Sequence, residues 1–324
     1  MLPDIDDLLR TARVVAIPLA TRFRGIDVRE VALFRGPAGW TEFSPFLEYD
    51  DAESSAWLRA AIDFGWNETP VLHRDSIRVN ATVPSVAAHE VAGVLHRFPG
   101  CRTAKVKVAE RGQMLADDIA RVAAVRETLG PEGRIRIDAN TGWNVDEAER
   151  AIHALAPFDL EYVEQPCATV EELAEIRDRV AYMDVLIAAD ESVRKASDPL
   201  AVARAGAADL LVVKAQPLGG IRSAIDIAAE AALPIVVSSA LETSVGISMG
   251  AHLAAALPEL PFDCGLATTA LLTGDVTRGR LDPLDGAIPV RRVEVDAALL
   301  DRFEASPERQ RWWLDRIRRT RALL

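Results

Sequence analysis

Between residues 79 and 265 short β-branched runs return every 24 to 30 residues, and that rhythm constrains the fold more than any other feature of the chain. The runs are Val79–Val83, Ala104–Val108, Arg134–Asp138, Glu161–Glu164, Val185–Asp190, Leu210–Lys214, Pro234–Ser238 and Phe262–Gly265. Between them lie Ala/Leu/Arg/Glu stretches of helical period; from Met114 to Leu129, residues Leu115, Ile119, Val122, Val125 and Leu129 share one face. Apolar strands joined by helical crossovers predict a parallel sheet buried on both faces, and eight of them predict a closed barrel. An open doubly wound sheet is the second reading, although no Gly-rich phosphate fingerprint follows any run.

The flanks have another texture. Val14–Leu19, Val28–Phe34 and Trp40–Phe43 read as strands and Asp50–Gly65 as an amphipathic helix with an acidic start, which predicts a small antiparallel α+β unit. After Gly274 come a Pro/Gly/Asp stretch, a strand-like Ile288–Val295 and a helix from Ser306. The fold class is therefore α/β: a (β/α)7β-type TIM barrel over 79–280, capped by an α+β domain over 1–78, with 281–324 returning to that cap. The Arg-rich last helix with Trp312 and Trp313 is read as packing on the cap, ahead of a role at a membrane surface.

Composition narrows the function. The 37 Lys and Arg against 49 Asp and Glu leave a net charge of −12, which repels phosphate backbones and anionic lipid, so no nucleic-acid partner is expected. No apolar run approaches the roughly 18 to 20 residues of a membrane helix, so no membrane insertion is expected. Asp4, Asp6 and Asp7 stand where a signal peptide carries cations, which predicts a cytoplasmic protein. Cys101, Cys167 and Cys264 are odd in number and far apart, as reduced buried thiols would be. No obligate protein partner is evident. Of the 37 cations only four are lysine: Lys105, Lys107, Lys195 and Lys214. Arginine stays protonated in a protein, whereas a desolvated lysine can act as a base, so retained lysines invite a chemical reading.

Active sites of such barrels form at the C-terminal strand ends. Lys107, Asp138, Glu164, Asp190 and Lys214 close five successive runs, the second to the sixth. Three acids on adjacent strands form the oxygen set that a hard dication such as Mg²⁺ takes, with positions left for substrate and water. Lys107 and Lys214, four strands apart, flank that metal from opposite sides. A dication and a second lysine both disfavour another ammonium, so a lysine here can fall toward neutrality and serve as a general base. Side-chain alternation puts Lys105 beside Lys107, and Arg136 and Asn140 beside Asp138, all expected to face the mouth; Glu191 is expected to point away as a structural acid. Alone, each acid reads as a cap or a solvated carboxylate; together they occupy strand ends in register.

The order Lys-x-Lys, Asp-x-Asn, Glu-Gln-Pro, Asp-Glu-Ser and Lys behind a small α+β domain resembles the enolase superfamily in its muconate-cycloisomerase-like branch, over nearly the whole chain. Arg136–Asn140, Val237–Gly246 and Gly265–Thr268 look most like the o-succinylbenzoate synthases of actinobacterial type. The resemblance implies one Mg²⁺ on Asp138, Glu164 and Asp190, Lys107 as base and then acid, and Lys214 as the cation stabilising an enediolate. It implies a small carboxylate substrate, a succinyl-hydroxycyclohexadiene carboxylate, dehydrated on the menaquinone route. Lys105, Arg136, Ser238, Ser239 and Gly265 are expected to position substrate, Asn140 to support the metal, and Thr21–Gly25, with Arg22 and Arg24, to form a mobile loop over the site. N-Succinylamino acid racemisation uses the same two lysines and remains the main alternative. A Schiff base on Lys214 would leave the three acids without purpose, and a non-catalytic barrel would be expected to have lost a ligand or a lysine. A strand-seven His or a strand-eight Asp-x-Asp, marks of mandelate-racemase-like and dipeptide-epimerase enzymes, is replaced by Ser238-Ser239 and Asp263-Cys264-Gly265.

Overall fold

The computed structural model describes residues 2–195 and 198–324. A short helix α1 (Ile5–Thr11) leads into an antiparallel sheet of β1 (Arg13–Phe23), β2 (Ile26–Gly36) and β3 (Gly39–Phe43). Across it lies α2 (Asp51–Trp66), started by the Asp50 carboxylate accepting from the Glu53 N–H at 2.8 Å. The strands β1 and β2 are longer than their sequence signals, because alternation continues through Thr21 and Phe23 to a tight turn. Arg24 and Gly25 both take positive φ, 49° and 76°, and Phe23 pairs with Ile26. That is the two-residue turn that matches strand twist, so the segment expected as a mobile loop is a hairpin tip.

After β4 (Ser76–Arg78) the chain enters the barrel with β5 (Ala81–Val83), α3 (Val91–Leu95), β6 (Thr103–Lys107) and α4 (Leu115–Leu129). It continues through β7 (Arg134–Asp138), α5 (Val145–Leu155), β8 (Leu160–Glu164), α6 (Val170–Val180) and β9 (Leu186–Ala189). Two four-residue helices, α7 (Glu191–Arg194) and α8 (Ala201–Arg204), precede β10 (Leu210–Val213), α9 (Ile221–Ala231), β11 (Ile235–Val237) and α10 (Ser244–Ala256). Strands β5 to β11 form one parallel sheet in sequence order. The eighth run is reduced to two residues: Cys264 bridges to Val79 and Gly265 to Ser238, joining the two edges of the sheet. A Cβ at Gly265 would stand 2.5 Å from the Ser238 hydroxyl, so a larger residue there would have to push that side chain aside.

Reciprocal caps define the helices: Asn144 with Glu147 opens α5 and Thr169 with Glu172 opens α6, each bond 3.0 to 3.1 Å. On α4, Val122 and Val125 are buried as expected, together with an Asp118–Arg121 ion pair at 2.7 Å. The chain then pairs β12 (Ala287–Pro289) with β4 and returns to the cap through α11 (Ala297–Arg302) and α12 (Pro307–Arg321). Trp313 is buried, with its indole N–H donating to Glu30 at 2.7 Å. Arg316, 1 % exposed, donates to the carbonyls of Phe46 and Tyr49 and to the Ser54 hydroxyl at 2.6 to 3.0 Å. The last helix thus packs on the cap, as its two tryptophans require. Among the described residues no helix is long and apolar enough to cross a membrane.

Candidate active site

The strand ends named in the sequence meet at one mouth of the barrel. Lys107, Asp138 and Glu164 stand in register on β6, β7 and β8; Asp190 follows β9 and Lys214 follows β10. The backbone turns sharply just beyond them, with Ala109, Asn140 and Gln165 at φ of 59°, 45° and 41°. Such left-handed residues are costly and persist where the surrounding structure holds them. Gln165 shows how: its side-chain carbonyl accepts from the N–H groups of Asp190 and Ser192 at 2.9 and 3.1 Å, fixing the next strand end.

The carboxylates are buried and bound to amines. Lys105 Nζ lies 3.0 Å from Glu164 and 3.3 Å from Asp138. Lys107 Nζ donates to Asp138 and to Asn140 Oδ1, both at 2.5 Å, and Lys214 Nζ to Asp190 at 2.6 Å. The other oxygen of Asp190 accepts from Arg194 Nε at 3.0 Å, one helical turn on. Burial works to raise every one of these acids, but Lys107 and Lys105 hold Asp138 well below the usual range, and Arg194 and Lys214 do the same for Asp190. Glu164 goes the other way, to about 7, through burial and the charge of Asp138 beside it. Lys107 is lowered, by burial and then by Lys105, against the pull of Asp138.

Asp138, Glu164 and Asp190 make up the acid set of this mouth. Among the described residues no three acidic, histidine or cysteine side chains stand close enough to hold an ion as arranged. By donor type and place they do fit a hard dication: three carboxylates come from adjacent strand ends, and the Lys105 ammonium lies between Asp138 and Glu164 as a stand-in positive charge.

The cavity above contains about 520 Å³ of space, part of it open to solvent. Its floor and barrel wall include Lys105, Lys107, Asp138, Asn140, Lys214, Ser238, Ser239 and Gly265. Its roof comes from the cap: Phe23 and Arg24 at the hairpin tip, then Phe46, Tyr49 and Trp57. A depression lined by Arg22, Pro84 and Ser85 shares Phe23, Arg24, Lys107 and Asn140 with it, so the cleft continues outward. Arg22 stands at that outer rim, exposed and 3.5 Å from Asp27.

Two expectations are corrected. Arg136 does not reach the cavity: it is fully buried one layer deeper, donating to Glu161, Asn80 and the Asp263 carbonyl, with its guanidinium 4.8 Å above the Tyr162 ring. Glu191 does not point away; it accepts from Asn140 Nδ2 at 3.2 Å and Arg194 Nη2 at 2.5 Å, bracing both. Phe46, Tyr49, Trp57 and Arg194 were absent from the sequence reading. Only Arg194 carried a local signal, its spacing of four from Asp190.

Residues 87–294 match the family model described as enolase C-terminal domain-like, and residues 14–65 the one described as enolase N-terminal domain-like. A Mycobacterium tuberculosis o-succinylbenzoate synthase is 55 % identical over 325 residues, covering 100 % of this chain and 98 % of its own. The chain belongs to the o-succinylbenzoate synthase family of the enolase superfamily. The Thermobifida fusca member is 56 % identical over 315 residues, covering 96 % of each chain. Among solved structures, muconate lactonizing enzyme from Pseudomonas fluorescens, complexed with muconolactone, superposes with a TM-score of 0.77 at 20 % identity, covering 91 % of this chain and 98 % of that one. The dipeptide epimerase from Enterococcus faecalis complexed with Mg and L-Leu-L-Tyr gives 0.73 at 24 %, covering 88 % and 97 %. At those identities the two structures speak for the fold.

Proposed function

We propose that this enzyme is a hydro-lyase that dehydrates 2-succinyl-6-hydroxy-2,4-cyclohexadiene-1-carboxylate to o-succinylbenzoate, a cytoplasmic step of menaquinone biosynthesis. The observation that carries the reading is the pair of lysines, Lys107 and Lys214, set among three strand-end carboxylates in a family whose relatives bear that name. Asp138, Glu164 and Asp190 would hold Mg²⁺. When bound, such an ion neutralises charge that develops on a substrate carboxylate.

Lys107, lowered by burial, takes the proton alpha to the carboxylate, and the C–H electron pair moves into the carboxylate to give an enediolate. Lys214, itself buried, supplies fixed positive charge beside that anion. The enediolate then expels the ring hydroxyl, which takes the same proton from Lys107, so the net change is loss of one water and formation of an aromatic ring. Asn140, bonded to Lys107 and to Glu191, holds the ammonium in place. Ser238, Ser239, Gly265 and Lys105 line the cavity as substrate-positioning groups, and the hairpin tip with Arg22 and Arg24 covers it.

The test is loss of substrate absorbance with freshly prepared substrate, with and without Mg²⁺, for the wild type, Lys107→Ala and Lys214→Ala. Mg²⁺-dependent turnover lost in both variants is the expected result. No turnover by the wild type would sink the assignment, and turnover surviving both substitutions would remove the lysines from the mechanism.

A further inference from the structure

The face that α4 turns to the barrel is interrupted by charge. Asp118 and Arg121, 2 % and 1 % exposed, share that buried face with Val122 and Val125. A buried ion pair is weak evidence for stability, because well-packed apolar residues of similar volume often do as well or better in its place. The remaining atoms of this pair show what else it does.

Arg121 Nη1 donates to the main-chain carbonyl of Lys107 at 2.9 Å, its Nε to that of Val86, beyond β5, at 2.7 Å, and its Nη2 to the side-chain carbonyl of Gln113. Asp118 Oδ1 accepts from Arg121 Nη1 at 2.7 Å, and its Oδ2 accepts from the Ala109 N–H at 3.0 Å. Ala109 is left-handed, with φ of 59°, a conformation that is costly for a residue with a Cβ and has to be held. Gln113 carries the bracket on to the Ser85 carbonyl at 2.8 Å. The other side of the turn has no slack: a Cβ at Gly142 would stand 2.7 Å from that of Ala109. One ion pair thus grips the main chain on both sides of Val108, at Lys107 itself and at Ala109, and ties it to the end of the neighbouring strand.

We propose that Asp118 and Arg121 are positioning residues for Lys107, fixing the end of β6 so that the lysine side chain leaves it in the direction that proton transfer needs. This rests on the dehydratase reading, in which Lys107 moves the proton. The pair touches no substrate and acts through the main chain of residues 107–109. Without the bracket that turn relaxes, and a reacting group misplaced by about 1 Å loses on the order of 100-fold in rate. Ser238, Ser239 and Gly265, which line the cavity from other strands, keep their places, so binding outlasts the loss of turnover.

Calorimetry with o-succinylbenzoate on the Mg²⁺-supplied protein counts competent sites and gives their affinity, so turnover can be expressed per site. Arg121→Met keeps the buried stem and removes the bonds. Arg126→Met is the control, because it removes bonds of 2.9 and 2.7 Å to the Gly130 and Phe158 carbonyls at the far end of the same helix. The expected result for Arg121→Met is kcat per site lowered at least ~10-fold, with KM and o-succinylbenzoate affinity within about two-fold of the wild type. Arg121→Lys, able to reach one carbonyl, should recover part of the loss, and Arg126→Met should leave kcat per site unchanged. Asp118→Asn keeps the shape while loosening the hold on Arg121 and Ala109, and should lower kcat per site with the same selectivity, so the test survives a poorly folded Arg121 variant. Unchanged kcat per site in Asp118→Asn and in the Arg121 variants that fold would overturn the proposal. So would KM and affinity worsening in step with kcat, or an equal loss in Arg126→Met. A wild type that neither binds o-succinylbenzoate nor turns over would bring down the dehydratase reading and the positioning with it.

Discussion

Glu42 on β3 is a carboxylate of the cap sunk wholly into the barrel contact, and replacing it with glutamine tests the electrostatics of that contact. Its Oε2 accepts from the N–H groups of Thr243 and Gly246, both at 3.1 Å, and from the Thr243 hydroxyl at 2.5 Å, which caps α10 from the other domain. Its Oε1 has no partner. Burial and the nearby Glu242 push the carboxyl up to about 7, against an ordinary 4.5. The folded protein therefore binds this proton more tightly than the unfolded chain does. The associated stability is complete below about pH 4.5 and is lost as the pH rises through 7. The rise from 4.5 to about 7 corresponds to roughly 3 kcal/mol at most. In Glu42→Gln the amide oxygen can keep the three donors while the NH2 takes the unpartnered side, so the variant mimics the protonated acid at every pH. Urea unfolding at pH 5, 6, 7 and 8 is the assay. The two proteins should be close at pH 5, with the variant ahead by about 1 to 3 kcal/mol at pH 8. Glu164, also raised to about 7, titrates in both proteins and cancels in the difference. Parallel pH profiles, or a variant less stable at pH 8, would refute the reasoning.

Two further outcomes follow from the same structure. Arg316→Met keeps the buried stem and removes the bonds to Phe46, Tyr49 and Ser54, so it should cost about 1 to 3 kcal/mol in unfolding and raise KM more than it lowers kcat. The three thiols, each pushed up to about 12 chiefly by burial, should react slowly with a disulfide reagent at pH 8 and all at once in denaturant; a fast native phase would contradict their placement.

The barrel and its charged strand ends were legible because both are periodic. A 24- to 30-residue rhythm fixes the number of units, and the last residue of each run names the mouth. Alternation tells which face a residue occupies and is silent on depth. Arg136 and Asp138 both point inward, but two strand residues span about 6.6 Å, enough to move Arg136 from the cavity down to Glu161 and the Asp263 carbonyl. Lys105 starts from the same layer and still reaches the acids, because Glu164 draws its ammonium upward. Glu191 was misplaced for a different reason: the strand ends at Ala189 and α7 begins at Glu191, so the two-residue period no longer applies. The aromatic roof was invisible because Phe46, Tyr49 and Trp57 precede the barrel and meet it only through tertiary packing.

The hold of α12 on the roof also sets an order in time. Arg316 follows Thr268, the last residue lining the cavity, by 48 positions, and it grips the carbonyls of Phe46 and Tyr49. A chain emerging from the ribosome will have made every lysine and carboxylate of the site well before it makes the helix that fastens the lid over them. Until then the Phe46 and Tyr49 carbonyls lack the guanidinium that holds them, so the roof is fastened only after the residues beneath it have been made.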